Sequence, residues 1–99
     1  MALDTTEAIW RVAREALTNV ERHAAATCAS LSLERANGSL VLRVTDDGSG
    51  VTSADLARPG HYGITGMRER IEALGGTLRI MARSGGGTIV EAQVSIDVD

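Results

Sequence analysis

The sequence predicts a two-layer α/β (α+β) sandwich, with a mixed, mostly antiparallel sheet of about four strands and helices on one face. Three observations predict it. Two stretches carry apolar residues at helical spacing. Two pairs of strand-like runs are joined by glycine-bearing turns. The order along the chain is helix, hairpin, loop, helix, hairpin, with no repeat or linker to divide it. The length of 99 residues suits one domain over 1–99. With no Phe, one Trp and one Tyr, the 43% apolar content must build a core of Leu, Ile, Val and Ala.

Residues 4–24 form the first predicted helix. Asp4 and Glu7 have capping-box spacing. Ile9, Val12, Ala13, Ala16, Leu17 and Val20 make one apolar stripe. Glu15, Asn19, Arg22 and His23 follow the same period on a neighbouring face, so they border the core. Asn19 stands out because its amide competes with the backbone in a helix interior, where alanine would serve better. Cys28 to Glu34 alternates, with Leu31 and Leu33 on one side and Ser30 and Ser32 on the other. Asn37-Gly38 is a type I′ hairpin signal, and Leu40 to Thr45 returns as the second strand. Residues 51–62 lack periodicity and read as a loop. Gly63-Ile64-Thr65-Gly66 opens the second helix, to about Leu74, with Ile64, Met67, Ile71 and Leu74 inward. Gly75-Gly76 closes it. Thr77 to Ala82 and Thr88 to Ile96 are the last strands, joined by Ser84-Gly85-Gly86-Gly87.

Composition narrows function. A net charge of −3 gives no expectation of nucleic-acid binding or of direct contact with an anionic membrane. One cysteine, Cys28, excludes an internal disulfide and a cysteine zinc site. No apolar run is long enough to span a bilayer. All ten basic residues are arginine, so a lysine-bearing phosphate loop and a Schiff-base enzyme are both excluded.

The remaining polar residues suggest a nucleotide. Asp46-Asp47-Gly48-Ser49-Gly50 follows an apolar strand, and its glycines admit a ligand against the main chain. Asp46 can accept a hydrogen bond from an exocyclic amine, which adenine carries and guanine replaces with a carbonyl at that position. Thr88 can support Asp46 or the base through its hydroxyl or a water. Gly63 and Gly66 leave a helix N-terminus open to phosphate, and His61 and Tyr62 can fold over it. Asn19 offers a neutral oxygen suited to Mg²⁺ bridging phosphates. Arg22 and His23 can contact phosphate or ribose. Together these describe an ATP site.

Four segments resemble, in order, the boxes of the ATP-binding catalytic domain of two-component sensor histidine kinases, in the GHKL superfamily with the Bergerat fold. Glu15-Ala16-Leu17-Thr18-Asn19-Val20-Glu21-Arg22-His23-Ala24 resembles the N box and Asp46-Asp47-Gly48-Ser49-Gly50 the G1 box. Gly60-His61-Tyr62-Gly63-Ile64-Thr65-Gly66-Met67-Arg68-Glu69-Arg70 resembles the G2 box of the nitrate/nitrite-sensor class, and Gly85-Gly86-Gly87-Thr88 the last glycine box. The resemblance implies that Asn19 coordinates Mg²⁺ and that Glu15 polarises the attacking group or orients the metal's water. It implies that Arg22 and His23 contact phosphate or ribose, that Asp46 reads adenine N6, and that Gly48 and Gly50 let the base approach. Gly63 and Gly66 would lie along the phosphates, under His61 and Tyr62, and Thr88 would support the adenine end.

In such kinases the γ-phosphoryl group passes to a histidine of an upstream dimerisation domain, then to a response regulator. Neither His23 nor His61 occupies the acceptor's place. The chain therefore reads as an excised cytoplasmic fragment of a protein whose membrane anchoring is left open. The phenylalanine-bearing box of the family is missing, since the chain has no Phe. Two other readings stand beside this one: an anti-sigma-factor-type serine kinase, which shares the N and G1 boxes, and a non-catalytic GHKL interaction module.

Overall fold

The computed structural model describes residues 3–21, 28–48 and 64–95. Within them the chain forms helix α1 (Leu3–Asn19), strands β1 (Ala29–Ala36) and β2 (Ser39–Asp46), helix α2 (Ile64–Glu72), and strands β3 (Thr77–Ala82) and β4 (Thr88–Ser95). The strands lie in the order β1-β2-β4-β3, and all three pairings are antiparallel. The last of the described strands thus fills a central position.

Burial on β2 and β4 alternates with the strand period. Leu40, Leu42, Val44 and Asp46 on β2, and Thr88, Val90, Ala92 and Val94 on β4, are buried on the side facing the helices. There α1 contributes Ile9, Val12, Ala13 and Ala16, and α2 contributes Met67 and Ile71. Each buried aliphatic side chain of this kind is worth about 1.5–3 kcal/mol relative to exposure, so this one aliphatic cluster holds the two layers together without aromatic help.

The opposite sheet face is polar. Glu91 on β4 lies between Arg43 of β2 and Arg79 of β3, each its direct cross-strand partner. Arg43 donates through Nε at 3.0 Å and also through Nη2, and Arg79 approaches at 4.0 Å. The bond and charge of Glu91 raise the Arg43 pKa further above its ordinary value.

Two turns carry their own signatures. Asn37 and Gly38 both take positive φ, 52° and 76°, as a type I′ hairpin requires. At the end of α2, Gly76 N–H donates to the Ile71 carbonyl at 3.0 Å and Gly75 N–H to Glu72 at 2.9 Å. That pair of bonds, with Gly75 left-handed, is a Schellman cap.

Several expectations are corrected. β1 alternates as expected, but all eight of its residues are exposed, Leu31 and Leu33 at 46% and 51%. It is an edge strand of the described sheet: α1 packs mainly on β2 and β4, and α2 on β3 and β4, and neither described helix covers β1. Leu17 is 41% exposed and lies off the α1 core stripe. Asp4 sits inside α1 instead of ahead of it, which removes the proposed capping box. Regular α geometry ends at Asn19 and widens into a π-helical turn at Val20 and Glu21. Asn19 therefore closes the regular helix, where an amide costs less than in mid-helix. The predicted loop 51–62 and the end of the last strand at Ile96 lie outside the described residues. No helix among the described residues is long and apolar enough to cross a membrane.

Candidate functional site

Asp46 ends β2, with its carboxylate on the helix-facing side and only 6% of the residue exposed. Its direct partner across the β2–β4 ladder is Thr88, also 6% exposed. The register thus brings together two residues 42 apart in sequence as a buried polar pair at the end of an otherwise apolar face. Asp46 Oδ1 accepts from Gly48 N–H at 2.8 Å, which folds the chain over into a tight turn. Among the described residues that is the only engagement of the Asp46 carboxylate, and the Thr88 hydroxyl has no partner. Both keep capacity for a ligand.

Asp47 does different work. Its Oδ1 accepts from Cys28 N–H at 2.9 Å, and its own N–H donates to the Cys28 carbonyl at 3.2 Å. This extends the β1–β2 ladder and leaves Asp46 as the inward-facing carboxylate of the two.

The glycine turn before Thr88 clamps this end of the sheet. Arg83 N–H donates to the Gly87 carbonyl and Gly86 N–H to Arg83, both at 3.0 Å. A Cβ at Gly87 would lie 1.9 Å from the Asp46 carbonyl oxygen and 3.0 Å from Asp47 Cα. Gly87 therefore has to be glycine, because backbone lies directly against backbone. Sequence reasoning assigned the turn to glycine composition and missed this contact; only the register reveals it.

The second group of residues lines a cleft of about 590 Å³ between α1 and α2. Glu15, half-buried, and Thr18 face it from α1, and Gly66 and Met67 from α2. Asn19 is one helical turn beyond Glu15 and half-buried. Arg11, Arg14 and Arg70 also line the cleft. Arg11, Arg14 and Arg70 are exposed, and sequence reasoning did not single them or Thr18 out as site residues. Their signal was the i, i+3, i+4 series 7, 11, 14, 18 on α1 facing Gly66 and Arg70 on α2. By contrast Arg68 turns to the sheet and donates to the Leu78 carbonyl at 3.2 Å.

Arg22, His23, Gly50, His61, Tyr62 and Gly63 lie outside the described residues. Of the predicted set, the structure thus brings Asp46, Gly48 and Thr88 together at the sheet end, and Glu15 and Gly66 around one cleft. Among the described residues no three His, Cys, Asp or Glu side chains are grouped to hold a metal.

The model of the family described as histidine kinase-, DNA gyrase B-, and HSP90-like ATPase matches residues 4–98. The chain belongs to that ATPase family. Membership implies ATP as the ligand, and it fits a buried carboxylate and hydroxyl placed at one sheet end. Among curated relatives, the sensor histidine kinase NarS of Mycobacterium tuberculosis is 44% identical over 77 residues, 75% of this chain and 18% of NarS. The nitrate/nitrite sensor protein NarQ of Escherichia coli is 41% identical, over 81% of this chain and 14% of its own length. The sensor histidine kinase LiaS of Bacillus subtilis is 35% identical, over 89% and 24%. The chain spans less than a quarter of each. Among solved structures, the Erythrobacter litoralis EL346 blue-light activated histidine kinase superposes with a TM-score of 0.80 at 29% identity, over 97% of this chain and 32% of that one. The ATP binding domain of PrrB from Mycobacterium tuberculosis shares the fold, with a TM-score of 0.71 at 18% identity, over 96% and 68%.

Proposed function

We propose that this ATPase-family chain binds Mg²⁺-ATP as the nucleotide-binding domain of a longer, cytoplasmically acting histidine kinase. There it would donate the γ-phosphoryl group to a histidine of a separate dimerisation domain, for relay to a response regulator. The observation that carries the reading is the buried Asp46–Thr88 pair, held by the abutting Gly87. A carboxylate beside a hydroxyl accepts from an amine and bonds a ring nitrogen, which matches the adenine edge and repels the guanine carbonyl. Sensor histidine kinases among the relatives support the transfer chemistry.

The donor set fits magnesium as a guest of the nucleotide. Mg²⁺ prefers few protein oxygens plus phosphates and water, and Asn19 supplies one neutral oxygen where no acidic cage exists among the described residues. Asn19 would hold the ion, which supplies charge neutralisation on the phosphates. Glu15, one turn away in the cleft, would orient a water or the attacking group. Arg22, His23, His61, Tyr62, Gly50 and Gly63 complete the proposed site from the sequence, with Gly66 at the phosphates and Gly48 at the base.

The test is a thermal shift with Mg²⁺-ATP against Mg²⁺-GTP, on the parent and on Asp46→Asn. Asparagine can still accept from Gly48 N–H, so the turn survives while the negative charge goes. At ligand a hundredfold above Kd, binding stabilises by about 2.7 kcal/mol. For a domain of this size that is a rise of about 10 °C or more. The expected result is a rise with ATP alone, lost in the variant. A parent that fails to respond to ATP, or responds equally to GTP, would falsify the adenine site.

A further inference from the structure

Asp46 and Asp47 are adjacent carboxylates, and the β1–β2 register separates their tasks. That register places Cys28 opposite Asp47, one residue beyond the Ala29–Asp46 pair. Opposed residues at such a position in an antiparallel ladder ordinarily exchange a pair of main-chain hydrogen bonds. Here one bond of the pair is of that kind, from Asp47 N–H to the Cys28 carbonyl at 3.2 Å. In the other, Cys28 N–H donates at 2.9 Å to Oδ1 of the Asp47 side chain, which takes the place of the Asp47 carbonyl. The main chain can therefore leave the sheet at Asp47 while it remains tied to β1.

That departure is what the Asp46 carboxylate needs. Its Oδ1 accepts from Gly48 N–H at 2.8 Å, which requires the chain to fold back as soon as it has passed Asp47. On the β4 side the Asp46–Asp47 peptide is stopped by Gly87, where a Cβ would lie 1.9 Å from the Asp46 carbonyl oxygen. On the β1 side packing sets no such stop, since Cys28, Asp46, Asp47 and Arg83 line an open hollow of about 270 Å³. The bonds to Cys28 supply the restraint there. Asp47 is itself exposed, so it fills no core position.

We propose that Asp47 is a positioning residue for the adenine contact. Its hold on the Cys28 main chain fixes the direction in which the Asp46 carboxylate accepts, and so sets the preference for a base with an exocyclic amine over one with a carbonyl. The assignment rests on the ATP reading above, in which Asp47 has no part. A hydrogen bond weakens steeply as it bends, whereas stacking on the base and attraction to the phosphates do not depend on the aim of one carboxylate. Loosening Asp47 therefore removes discrimination between bases and leaves the rest of the affinity.

Calorimetric titration with ATP and with inosine triphosphate, each with Mg²⁺, tests this on the parent, Asp47→Ala and Asp47→Asn. Inosine triphosphate has the same ribose and phosphates but a carbonyl where adenine has its amine. The parent should prefer ATP. Asp47→Ala is expected to lose about tenfold in ATP affinity, the worth of one hydrogen bond to a charged acceptor. Its affinity for inosine triphosphate should fall by no more than about twofold, because the contacts the two nucleotides share are untouched. Asp47→Asn keeps an Oδ1 that accepts from Cys28 N–H, so it should retain the parent's ratio. Neither substitution opens the core, because Asp47 is exposed. Equal losses for both nucleotides in Asp47→Ala would show a merely structural role and overturn the assignment. So would an Asp47→Ala protein with the parent's ratio, or an Asp47→Asn protein that behaves as Asp47→Ala does. A parent that binds neither nucleotide, or both alike, would remove the adenine reading itself, and that result is seen before any variant is made.

Discussion

Replacing Gly87 with alanine puts a methyl group 1.9 Å from the Asp46 carbonyl oxygen, 2.8 Å from its carbon and 3.0 Å from Asp47 Cα. All three are backbone atoms, so no side chain can swing aside. The φ of +109° adds strain of about 1–2 kcal/mol for any residue with a Cβ. Separating the glycine turn from Asp46-Asp47 costs a further ~1–3 kcal/mol, as overpacking does elsewhere. The sum is about 2–5 kcal/mol, a large part of a typical domain's stability. Gly85→Ala is the matched control. Its φ is +88°, but its Cβ would meet nothing within 4 Å, so strain alone applies, about 1–2 kcal/mol. Both substitutions restrict the unfolded chain alike, so that contribution cancels between them. Urea denaturation followed by circular dichroism should show a midpoint about 1–2 M lower for Gly87→Ala than for Gly85→Ala. Below the transition, Gly87→Ala should also bind Mg²⁺-ATP more weakly, since Asp46 is displaced. Equal midpoints would refute the claim that backbone contact, and not merely positive φ, demands glycine at this position.

Burial and charge give three further predictions. Leu42→Ala, at 1% exposure in the centre of the sheet, should cost about 3–5 kcal/mol, while Leu31→Thr on the exposed edge strand should stay within about 0.5 kcal/mol by thermal melting. Glu91→Gln leaves Arg43 and Arg79 facing each other, so it should lower the melting temperature in dilute buffer, and the gap should narrow in 1 M NaCl. Because the Arg43 pKa is raised, its stabilising share is full at every pH below its unfolded value and is lost only as pH rises through the folded one; a melt from pH 5 to 9 should show no step from this pair.

Local pattern carried most of the fold. The hairpin at Asn37-Gly38, the strand Thr77–Ala82 and the cap at Gly75-Gly76 could be read because turn chemistry and period are local properties. The alternation in β1 marked the strand but not its exposure, because alternation reports which way side chains point, and not whether a second layer reaches them. Leu31 and Leu33 do share the core-facing side, yet no described helix covers them. The site was legible as residue types and only partly as geometry. Asp46 and Thr88 could be singled out from their glycine neighbours, but their pairing depends on a register between distant strands. Arg14 and Arg70 are exposed, and that they line one cleft shows only in the packing of α1 against α2, because helical periodicity does not say which neighbour a polar face will meet.

The position of β4 has a consequence for how the protein is made. Asp46 is synthesised in the first hairpin, while Thr88 and the clamp at Gly87 arrive some forty residues later on the strand that enters the middle of the sheet. A nascent chain still short of that strand has β2 and β3 without the partner that joins them. The Asp46–Thr88 pair therefore cannot form before β4 has joined the sheet. Any clipping that removes β4 should therefore abolish binding and folding together.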